Sequence, residues 1–273
     1  MILKAKNICS FLLCSYKLLY KLTNIVTIKN KKTLNTVIII PARIDSSRLK
    51  KKLLRNISGL PMIVRVAQNA ENLKIGRVIV GTDSREIYNE CDKNNLEAMM
   101  TKSSHKSGTD RVYEVYKILN KDFDLIINLQ GDLPIFKKDL LEKTTKLFSD
   151  DSVDIGSAVC DLEDSEINDN NIVKARVVLD DYNEGFALDF LRTVDCTKNI
   201  YHHIGLYIYK PNILKEFVSL LQSKREKERN LEQMRAMDNN YKIKLVKVGH
   251  NPPSVDTIED LKKIRLHFKK NNF

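Results

Sequence analysis

The sequence predicts an α/β fold, with a mostly parallel central sheet that has helices on both faces, plus a smaller antiparallel β subregion. Between residues 36 and 130, short apolar runs alternate with segments of helical periodicity, which is typical of parallel strands joined by crossover helices. From residue 154, strand-like runs follow one another directly, which favours antiparallel strands. A chain of 273 residues with 42% apolar residues is long enough to bury such a core.

The first half supplies strands and helices in alternation. Short apolar runs predict strands at residues 36–40, 77–81, 96–100 and 124–130. Apolar residues that recur on one helix face, together with residues that favour a helix N-terminus, predict three helices. They run from Pro61 to about residue 73, near residues 85–94, and after the loop at residues 102–110.

The second half is predicted to be rich in strands and to end in a helix. Its apolar runs predict strands at residues 155–160, 172–180, 186–190, 204–210 and 242–248. Helical periodicity predicts helices at residues 211–221, 230–237 and 257–268.

The positive charge is concentrated near the start of the chain. The net charge is +11, but residues 1–35 hold seven lysines and no acid, which leaves 39 basic against 35 acidic residues elsewhere. Because a nucleic-acid binder concentrates basic residues on its folded domain, we expect no nucleic-acid partner. We predict two parts, a basic N-terminal extension at residues 1–35 and a single domain at residues 36–273.

The extension has three interpretations: a dispensable segment, a helix lying on a membrane surface, or a targeting segment. Its apolar run at residues 8–16 is broken by Lys17 and is too short to span a bilayer, so we expect no stable membrane insertion. The five cysteines lack metal-ligand spacing, which indicates free thiols in a reducing compartment. We therefore expect a cytoplasmic protein.

Charged side chains follow the first predicted strand, at the sheet edge where parallel sheets form binding sites. Arg43, Arg48 and Lys52 are three fixed cations in one loop, and they suit an anionic ligand. Arg43 starts from near the core and therefore needs an anionic partner. The neighbouring Lys50 and Lys51 are expected to be solvated.

Two acidic residues lie next to the ends of predicted elements. Asp132 follows a buried strand and Gly131, and Asp256 precedes the last helix, so either carboxylate could hold a divalent cation against a phosphate. An Asx turn at Asp132, and capping by Asp256 or by Thr257 with Asp260, account equally well for the same residues. The sequence does not decide between these interpretations.

Motifs elsewhere narrow the chemistry. The loop KSGTDR at residues 106–111 lets backbone N–H groups approach a ligand, although an N-cap by Ser107 or Thr109 is the simpler interpretation. The patterns GxxxxGK[ST], GxGxxG, HExxH and GxSxG are absent. Cations and spaced acids at strand ends remain, and they suit phosphoryl or nucleotidyl transfer, which depends on positioning and charge neutralisation.

Eight segments also stand in the order and spacing of one known family. They are IPARIDSSRL, GLPMI, TKSSHKSGTDR, NLQGD-x-P, NIVKARVVLD, HHIGLYIY, LEQMR and VDTIEDL, and they cover about residues 36–268. The chain thus resembles the 3-deoxy-manno-octulosonate (Kdo) cytidylyltransferases, or CMP-Kdo synthetases. The resemblance implies a nucleotide-diphospho-sugar transferase-like fold, CTP and an acidic sugar (Kdo) as substrates, Mg²⁺ as cofactor, and a homodimer.

The resemblance further implies roles for individual residues. The CTP-binding residues would be Ala42, Arg43, Ser107, Gly108, Thr109, Arg111 and Gln130. The sugar acid would contact Arg192, His203, Tyr207, Glu232 and Gln233. Arg48 and Lys52 would act in catalysis together with Asp132 and Asp256, which would bind Mg²⁺. Without the family, His203 and Tyr207 suit the core as well as a site, because residues of one parity share one face of a strand.

The implied reaction is attack of the anomeric hydroxyl of Kdo on the α-phosphate of CTP, which gives CMP-Kdo and pyrophosphate for lipopolysaccharide biosynthesis. Three alternatives stay open: a cytidylyltransferase for another acidic sugar such as a neuraminate or an amino-Kdo analogue, a decayed nucleotide-binding homologue, and a membrane-surface protein. The decayed homologue is suggested by departures from the family pattern at Lys50, Lys51, Leu53, Leu133 and Leu191. Because Lys51 replaces a glycine, we expect a reshaped phosphate loop.

Overall fold

A nine-stranded mixed sheet and a separate two-stranded hairpin organise the chain in this computed structural model, which describes residues 34–46 and 48–270. The strands are β1 (Thr36–Ala42), β2 (Asn56–Ile57), β3 (Leu60–Pro61), β4 (Arg77–Thr82), β5 (Ala98–Met100), β6 (Leu125–Asn128), β7 (Ile155–Cys160), β8 (Lys174–Val177), β9 (Glu184–Leu191), β10 (Ile200–Tyr209) and β11 (Ile243–Lys247). The α-helices are α1 (Met62–Asn72), α2 (Arg85–Lys93), α3 (Gly108–Leu119), α4 (Lys138–Lys146), α5 (Pro211–Ser219), α6 (Lys224–Arg229), α7 (Gln233–Asp238) and α8 (Ile258–Lys270).

The first half of the sheet is parallel, as the alternating pattern predicted. Its order is β5-β4-β1-β6, and each neighbouring pair runs in the same direction. Parallel strands bring their carboxyl ends to one edge of a sheet. The loops that follow β1 and β6 therefore meet at that edge, and they carry the cations and acids of the predicted site.

Strand β1 lies at the centre of this half and is buried on both faces. Ile38 and Ile40 pack into one apolar layer, while Val37 and Ile39 pack into the layer on the opposite face. A strand covered on both sides requires apolar residues at successive positions, not alternating ones. This explains the run VIII.

The second half is continuous with the first because β10 joins them. β10 pairs antiparallel with β6 and β7, and its beginning also pairs with β8. The order continues β7-β11-β9-β8, so the β10–β8 pairing closes this half on itself. The predicted antiparallel subregion is thus part of one mixed sheet, and it includes a parallel pair, β7 with β11.

Several elements differ from the prediction. Helix α6, with the sequence KREKER, was not predicted because it is polar on every face and has no apolar periodicity. Helix α4 was also not predicted, and it begins without a side-chain cap. The helix predicted at residues 230–237 is wrong at its start, because Asn230 has a φ of 51° and ends α6. None of the helices in the described ranges is long and apolar enough to cross a membrane.

The predicted free thiols are confirmed for Cys91, Cys160 and Cys196. Cys9 and Cys14 lie outside the described residues, as does nearly all of the predicted extension. Asn35, which the prediction assigned to that extension, instead donates from its backbone N–H to Asp124 Oδ2 at 2.8 Å. The three interpretations of the extension stay predictions.

Candidate active site

A cleft of about 580 Å³ lies at the sheet edge where β1 and β6 end. Eight residues predicted for the site line it: Arg48, Gln130, Asp132, His203, Tyr207, Glu232, Gln233 and Asp256. They come from five separate regions of the sequence, so the fold assembles the cleft from distant segments.

The two predicted metal-binding aspartates converge on one lysine. Lys52 Nζ lies 2.7 Å from Asp132 Oδ2 and 3.0 Å from Asp256 Oδ1, and its side chain is 13% exposed. Burial disfavours the charged ammonium, but the attraction and hydrogen bonds of the two carboxylates nevertheless raise the pKa of Lys52 above its ordinary value. The site is therefore a pair of carboxylates that already binds a cation.

A backbone hydrogen bond brings the two acids together. The N–H of Val255 donates to the carbonyl oxygen of Asp132 at 3.0 Å, which fixes the segment before α8 against the segment after β6. Thr257 and Asp260 cap α8, since Asp260 N–H donates to Thr257 Oγ1 at 3.2 Å and Thr257 N–H donates to Asp260 Oδ2 at 2.9 Å. The capping interpretation thus holds for Thr257 with Asp260, and the carboxylate of Asp256 faces the cleft.

The loop that carries Lys52 keeps its turn although the family glycine is missing. Lys51 takes that position with a φ of 51°, in the left-handed region that favours glycine. Its ammonium pairs with Glu86 at 2.7 Å, and Leu53 is buried in the core. The expected reshaping is not needed to bring Lys52 to the acids, because Lys51 adopts the glycine-like conformation.

The two arginines of this loop, Arg48 and Arg43, differ in exposure and contacts. Arg48 lies on the cleft wall, with Nη2 3.0 Å from Asp256 Oδ1 and with 54% of its side chain exposed. Arg43 is partly buried and directly follows Ala42, the buried last residue of β1. The loop thus directs Arg48 and Lys52 to the same carboxylate.

Ser107 caps α3, as the simpler interpretation of KSGTDR predicted. Its hydroxyl accepts a hydrogen bond from Asp110 N–H at 3.1 Å, and its own N–H donates to Asp110 Oδ2 at 3.1 Å. A Cβ at Gly108 would lie 3.3 Å from Pro41 Cγ, so glycine lets the start of α3 approach the end of β1 closely. The expected contact of Ser107 and Gly108 with CTP stays a prediction.

Thr109 connects this helix start to the cleft. Its hydroxyl donates to Glu232 Oε2 at 2.7 Å, and it accepts from Asn128 Nδ2 at 3.4 Å. Burial raises the pKa of Glu232, although the hydrogen bond from Thr109 opposes this change. Within the described residues, Glu232 Oε1 is buried without a hydrogen-bond partner, and Arg235 Nη2 lies 3.8 Å from it.

Arg111 is fully buried and forms an ion pair. Its Nη2 lies 2.6 Å from Asp83 Oδ2, and its Nη1 donates to Thr101 Oγ1. The guanidinium therefore joins α3 to the segments that follow β4 and β5. The structure does not place Arg111 on the cleft wall, and its predicted contact with CTP remains untested.

A bulge in β10 shapes the opposite wall. The pairing of β10 with β7 shifts register between Ile204 and Tyr207, where Gly205 lines the cleft. Ser157 on β7 holds this bulge, since its Oγ donates to the carbonyl of Leu206 at 2.7 Å and lies 2.9 Å from His203 Nε2.

His203 and Tyr207 line the cleft, where His203 is buried and Tyr207 is partly buried. Burial lowers the pKa of His203 to about 3, and the charge of His202 contributes. Burial and the carboxylate of Glu232 raise the pKa of Tyr207. The imidazole is therefore neutral and the phenol is protonated at neutral pH, so both side chains act as hydrogen-bonding groups.

Arg192 is the one predicted sugar ligand that does not line the cleft. Its Nε donates to the carbonyl of Arg229 at 3.1 Å, its Nη2 to that of Asn230 at 3.1 Å, and its Nη1 to that of Asn170 at 2.9 Å. The guanidinium is thus directed at the backbone of two loops.

Sequence reasoning missed a group of polar residues at the cleft wall: Asp169, Asn171, His202, Asn251 and Ser254. His202 Nδ1 lies 3.0 Å from Glu166 Oε1, which fixes its ring. These residues lie in loops or near the start of a strand, and their spacing forms no motif. Only the clustering of Asn and Asp at residues 168–171 marked a tight turn.

The chain is similar to proteins of known name. A family model described as cytidylyltransferase matches residues 37–243. A 3-deoxy-manno-octulosonate cytidylyltransferase of Bartonella bacilliformis is 39% identical over 238 residues, which are 85% of this chain and 98% of that protein. The protein of the same name from Nitrobacter hamburgensis is 39% identical over 241 residues, 84% of this chain and 91% of its own length.

The chain is also similar to solved structures. A CMP:2-keto-3-deoxy-manno-octonic acid synthetase complexed with CTP superposes with a TM-score of 0.79 and 31% identity, over 87% of this chain and 99% of its own. An apo UDP-glucose pyrophosphorylase shares only 13% identity but has a TM-score of 0.65, over 88% of this chain and all of its own. The second likeness shows the fold alone.

Proposed function

The chain belongs to the 3-deoxy-manno-octulosonate cytidylyltransferase family, and from this we propose a function for each wall of the cleft. The enzyme transfers CMP from CTP to the anomeric hydroxyl of 3-deoxy-manno-octulosonate and releases pyrophosphate. The convergence of Asp132, Asp256 and Lys52 supports this proposal most directly. Nucleotidyl transfer needs such a centre, where charge is neutralised around phosphate groups.

Arg48 and Lys52 bind the phosphates of CTP. Both cations now contact carboxylates in the cleft, at 3.0 Å for Arg48 and 2.7 Å for Lys52. A triphosphate offers them oxygens of higher negative charge. In that position their fixed positive charges stabilise the pyrophosphate as the bond between the α- and β-phosphates breaks.

Mg²⁺ fits the carboxylates of Asp132 and Asp256. Mg²⁺ is usually bound by one or two carboxylates together with substrate phosphates, so no complete protein cage is needed. This agrees with the described residues, which hold no cluster of three or more ligating side chains. Bound Mg²⁺ would neutralise phosphate charge and favour the ionised form of the attacking hydroxyl.

The sugar acid lies against the wall formed by β10 and the start of α7. Neutral His203 and protonated Tyr207 exchange hydrogen bonds with its hydroxyl groups, and the side chain of Glu232 accepts another. Gln233 adds an amide that can both donate and accept. Uncharged hydrogen-bonding groups suit a polyhydroxylated ligand, because each hydroxyl is both a donor and an acceptor.

The test is pyrophosphate release from CTP in the presence of Mg²⁺ and 3-deoxy-manno-octulosonate. We expect Asp132→Asn and Asp256→Asn each to lower kcat at least about a hundredfold, because each removes a charge that holds the cation at the reacting phosphate. Asp161→Asn is the matched control, since that carboxylate is 75% exposed and pairs with Lys247.

The outcomes separate the remaining alternatives. Release with a neuraminate but not with 3-deoxy-manno-octulosonate would identify an enzyme for another acidic sugar. CTP binding without turnover on any sugar acid would identify a decayed homologue. Near-normal rates in either aspartate variant would contradict the metal assignment and leave the family membership unchanged.

We also propose a homodimer in the cytoplasm that serves lipopolysaccharide biosynthesis, as the family resemblance implies. The free thiols of Cys91, Cys160 and Cys196 agree with a reducing compartment. The molar mass in light scattering, compared with the 31.5 kDa of one chain, tests the dimer.

A further inference from the structure

A buried serine connects the bulge in β10 to a side chain of the cleft wall. Ser157 lies on β7 and is fully buried. Its Oγ lies 2.7 Å from the carbonyl oxygen of Leu206 and 2.9 Å from His203 Nε2. The carbonyl oxygen of Ile204 lies farther away, at 3.4 Å, and is therefore the weaker partner. One hydroxyl thus contacts both the backbone of the bulge and the imidazole that lines the cleft.

The bulge explains why a hydroxyl is needed at this position. Ile204 pairs with Ala158 and Tyr207 pairs with Ser157, so Gly205 and Leu206 have no partner on β7. A bulge leaves its extra residues outside the regular hydrogen-bond ladder. Because a buried carbonyl without a donor is unfavourable, the hydroxyl of Ser157 takes the place of the missing backbone N–H. Its only hydrogen is therefore used for the carbonyl of Leu206.

The count of hydrogens at Ser157 determines the direction of the bond to His203. A hydroxyl has one hydrogen to donate, and a carbonyl oxygen can only accept. If Ser157 donated to His203 instead, its Oγ and the carbonyl oxygen of Leu206 would lie 2.7 Å apart with no hydrogen between them. The favourable arrangement is that Ser157 donates to Leu206 and accepts from Nε2–H of His203 at 2.9 Å.

The imidazole of His203 then has a defined donor side and a defined acceptor side. Burial lowers the pKa of His203 to about 3, so the ring is neutral at neutral pH and carries a single N–H. With that hydrogen at Nε2, Nδ1 keeps its lone pair. The ring also packs against two aromatic side chains, Phe190 edge-on at 5.0 Å between centroids and Tyr207 at 5.4 Å. These contacts restrict its rotation.

We propose that Ser157 is a positioning residue that fixes the Nε2–H tautomer of His203, so that Nδ1 accepts a hydrogen bond from a hydroxyl group of the sugar acid. The proposal rests on the proposed function for the identity of this ligand. A neutral imidazole nitrogen with a lone pair is an acceptor, and the hydroxyl groups of a sugar are its complementary donors. Ser157 would thus orient the substrate without touching it.

The first test needs no substrate. In protein labelled with ¹⁵N-histidine, the shifts of Nδ1 and Nε2 report the tautomer of each ring, and His203→Gln identifies the His203 signals by their loss. We expect a protonated Nε2 and an unprotonated Nδ1 in the wild type. Ser157→Ala should shift both nitrogens towards a mixture of tautomers, because it removes the acceptor at Nε2. Ser157→Thr keeps a hydroxyl and should retain the wild-type pattern.

The second test asks whether Ser157 acts on the substrate through His203. Ser157→Ala should raise KM for 3-deoxy-manno-octulosonate about fivefold or more, because the sugar must then bind with Nε2–H unpartnered or with the other tautomer. KM for CTP should change less than about twofold. In a His203→Ala protein, the same serine substitution should have almost no further effect on KM, since its route to the sugar is already removed.

A matched control separates this effect from the loss of any buried hydroxyl. Thr144 on α4 is also fully buried, and its Oγ1 donates to the carbonyl of Leu140 at 2.7 Å. Thr144→Val should therefore lower the stability towards urea without changing KM for either substrate or the tautomer of His203.

Three outcomes would count against the proposal or its premise, in different ways. A protonated Nδ1 in the wild type, or an unchanged tautomer in a folded Ser157→Ala protein, would overturn the proposal. An effect of Ser157→Ala on KM that persists in full in the His203→Ala protein would also overturn it and assign Ser157 to the shape of the bulge alone. The expected tautomers in a protein that releases no pyrophosphate with 3-deoxy-manno-octulosonate would support the control of His203 by Ser157 and refute the proposed substrate.

Discussion

Replacement of Lys52 by methionine should tighten the binding of a divalent cation to the nucleotide-free protein and at the same time abolish turnover. Lys52 Nζ contacts both Asp132 and Asp256, the two carboxylates proposed for Mg²⁺. A divalent cation that arrives without nucleotide must first displace this ammonium. When CTP is present, we expect its phosphates to accept hydrogen bonds from Lys52, which would release the carboxylates for the metal.

The size of the effect follows from the two contacts. They measure 2.7 and 3.0 Å, and the lysine side chain is only 13% exposed. A hydrogen bond between charged groups contributes roughly 1.5–3 kcal/mol. In the wild type, the cation must break two such bonds, and hydration of the displaced ammonium offsets part of that cost. A net gain of about 2 kcal/mol corresponds to roughly thirtyfold tighter binding in the Lys52→Met protein.

The assay is Mn²⁺ binding, followed by the electron paramagnetic resonance signal of the free ion, with and without CTP. Lys51→Met is the matched control, because the neighbouring ammonium pairs with Glu86 and not with the cleft acids. CTP should tighten Mn²⁺ binding in the wild type far more than in the Lys52→Met protein. Equal or weaker Mn²⁺ affinity in nucleotide-free Lys52→Met would refute this reasoning.

Two further predictions concern stability. Arg111→Met should lower the free energy of unfolding by about 3–5 kcal/mol in urea, because it leaves the partly buried carboxylate of Asp83 without its cation. The exposed variant Arg85→Met on α2 should cost less than about 1 kcal/mol. A small loss of stability with a large loss of CTP affinity would instead favour the nucleotide role of Arg111. Stability should also fall by up to about 1.4 kcal/mol per pH unit as the pH drops from 6.5 towards about 3, because the unfolded chain binds a proton that buried His203 does not. His203→Gln should flatten this dependence, and an equally steep profile in that variant would assign it to other groups.

The sequence predicted the fold best where one physical requirement dominates. β1 is buried on both faces, so its apolar run had one interpretation, and the alternation with helices then implied parallel neighbours. Helix α6 shows the limit: its six residues have no apolar face, and it is stabilised by the cap at Ser223 and by Glu226, which pairs with Arg235. Tertiary contacts of this kind leave no periodic signal.

The site was predicted in the same uneven way. Strand-end loops suggested the cations and acids, but the meeting of these distant residues depends on tertiary contacts, such as the hydrogen bond from Val255 to Asp132 and the two contacts of Lys52. Arg111 and Arg192 illustrate what the sequence could not provide. The partner of Arg111 is an acid on another strand end, and the partners of Arg192 are backbone carbonyls, which every residue possesses and no motif marks.

The position of β10 has a consequence for how the chain is made. β10 lies between β6 and β7 in the sheet, and it also closes the second half through β8. All three partners precede it in the sequence, so during synthesis the strand edges that pair with β10 stay unpaired until residues 200–209 have left the ribosome. The same segment carries His203 and Tyr207, so this part of the cleft wall forms when β10 pairs with β6, β7 and β8, whereas β11 and the cleft residues Glu232 and Gln233 are synthesised later.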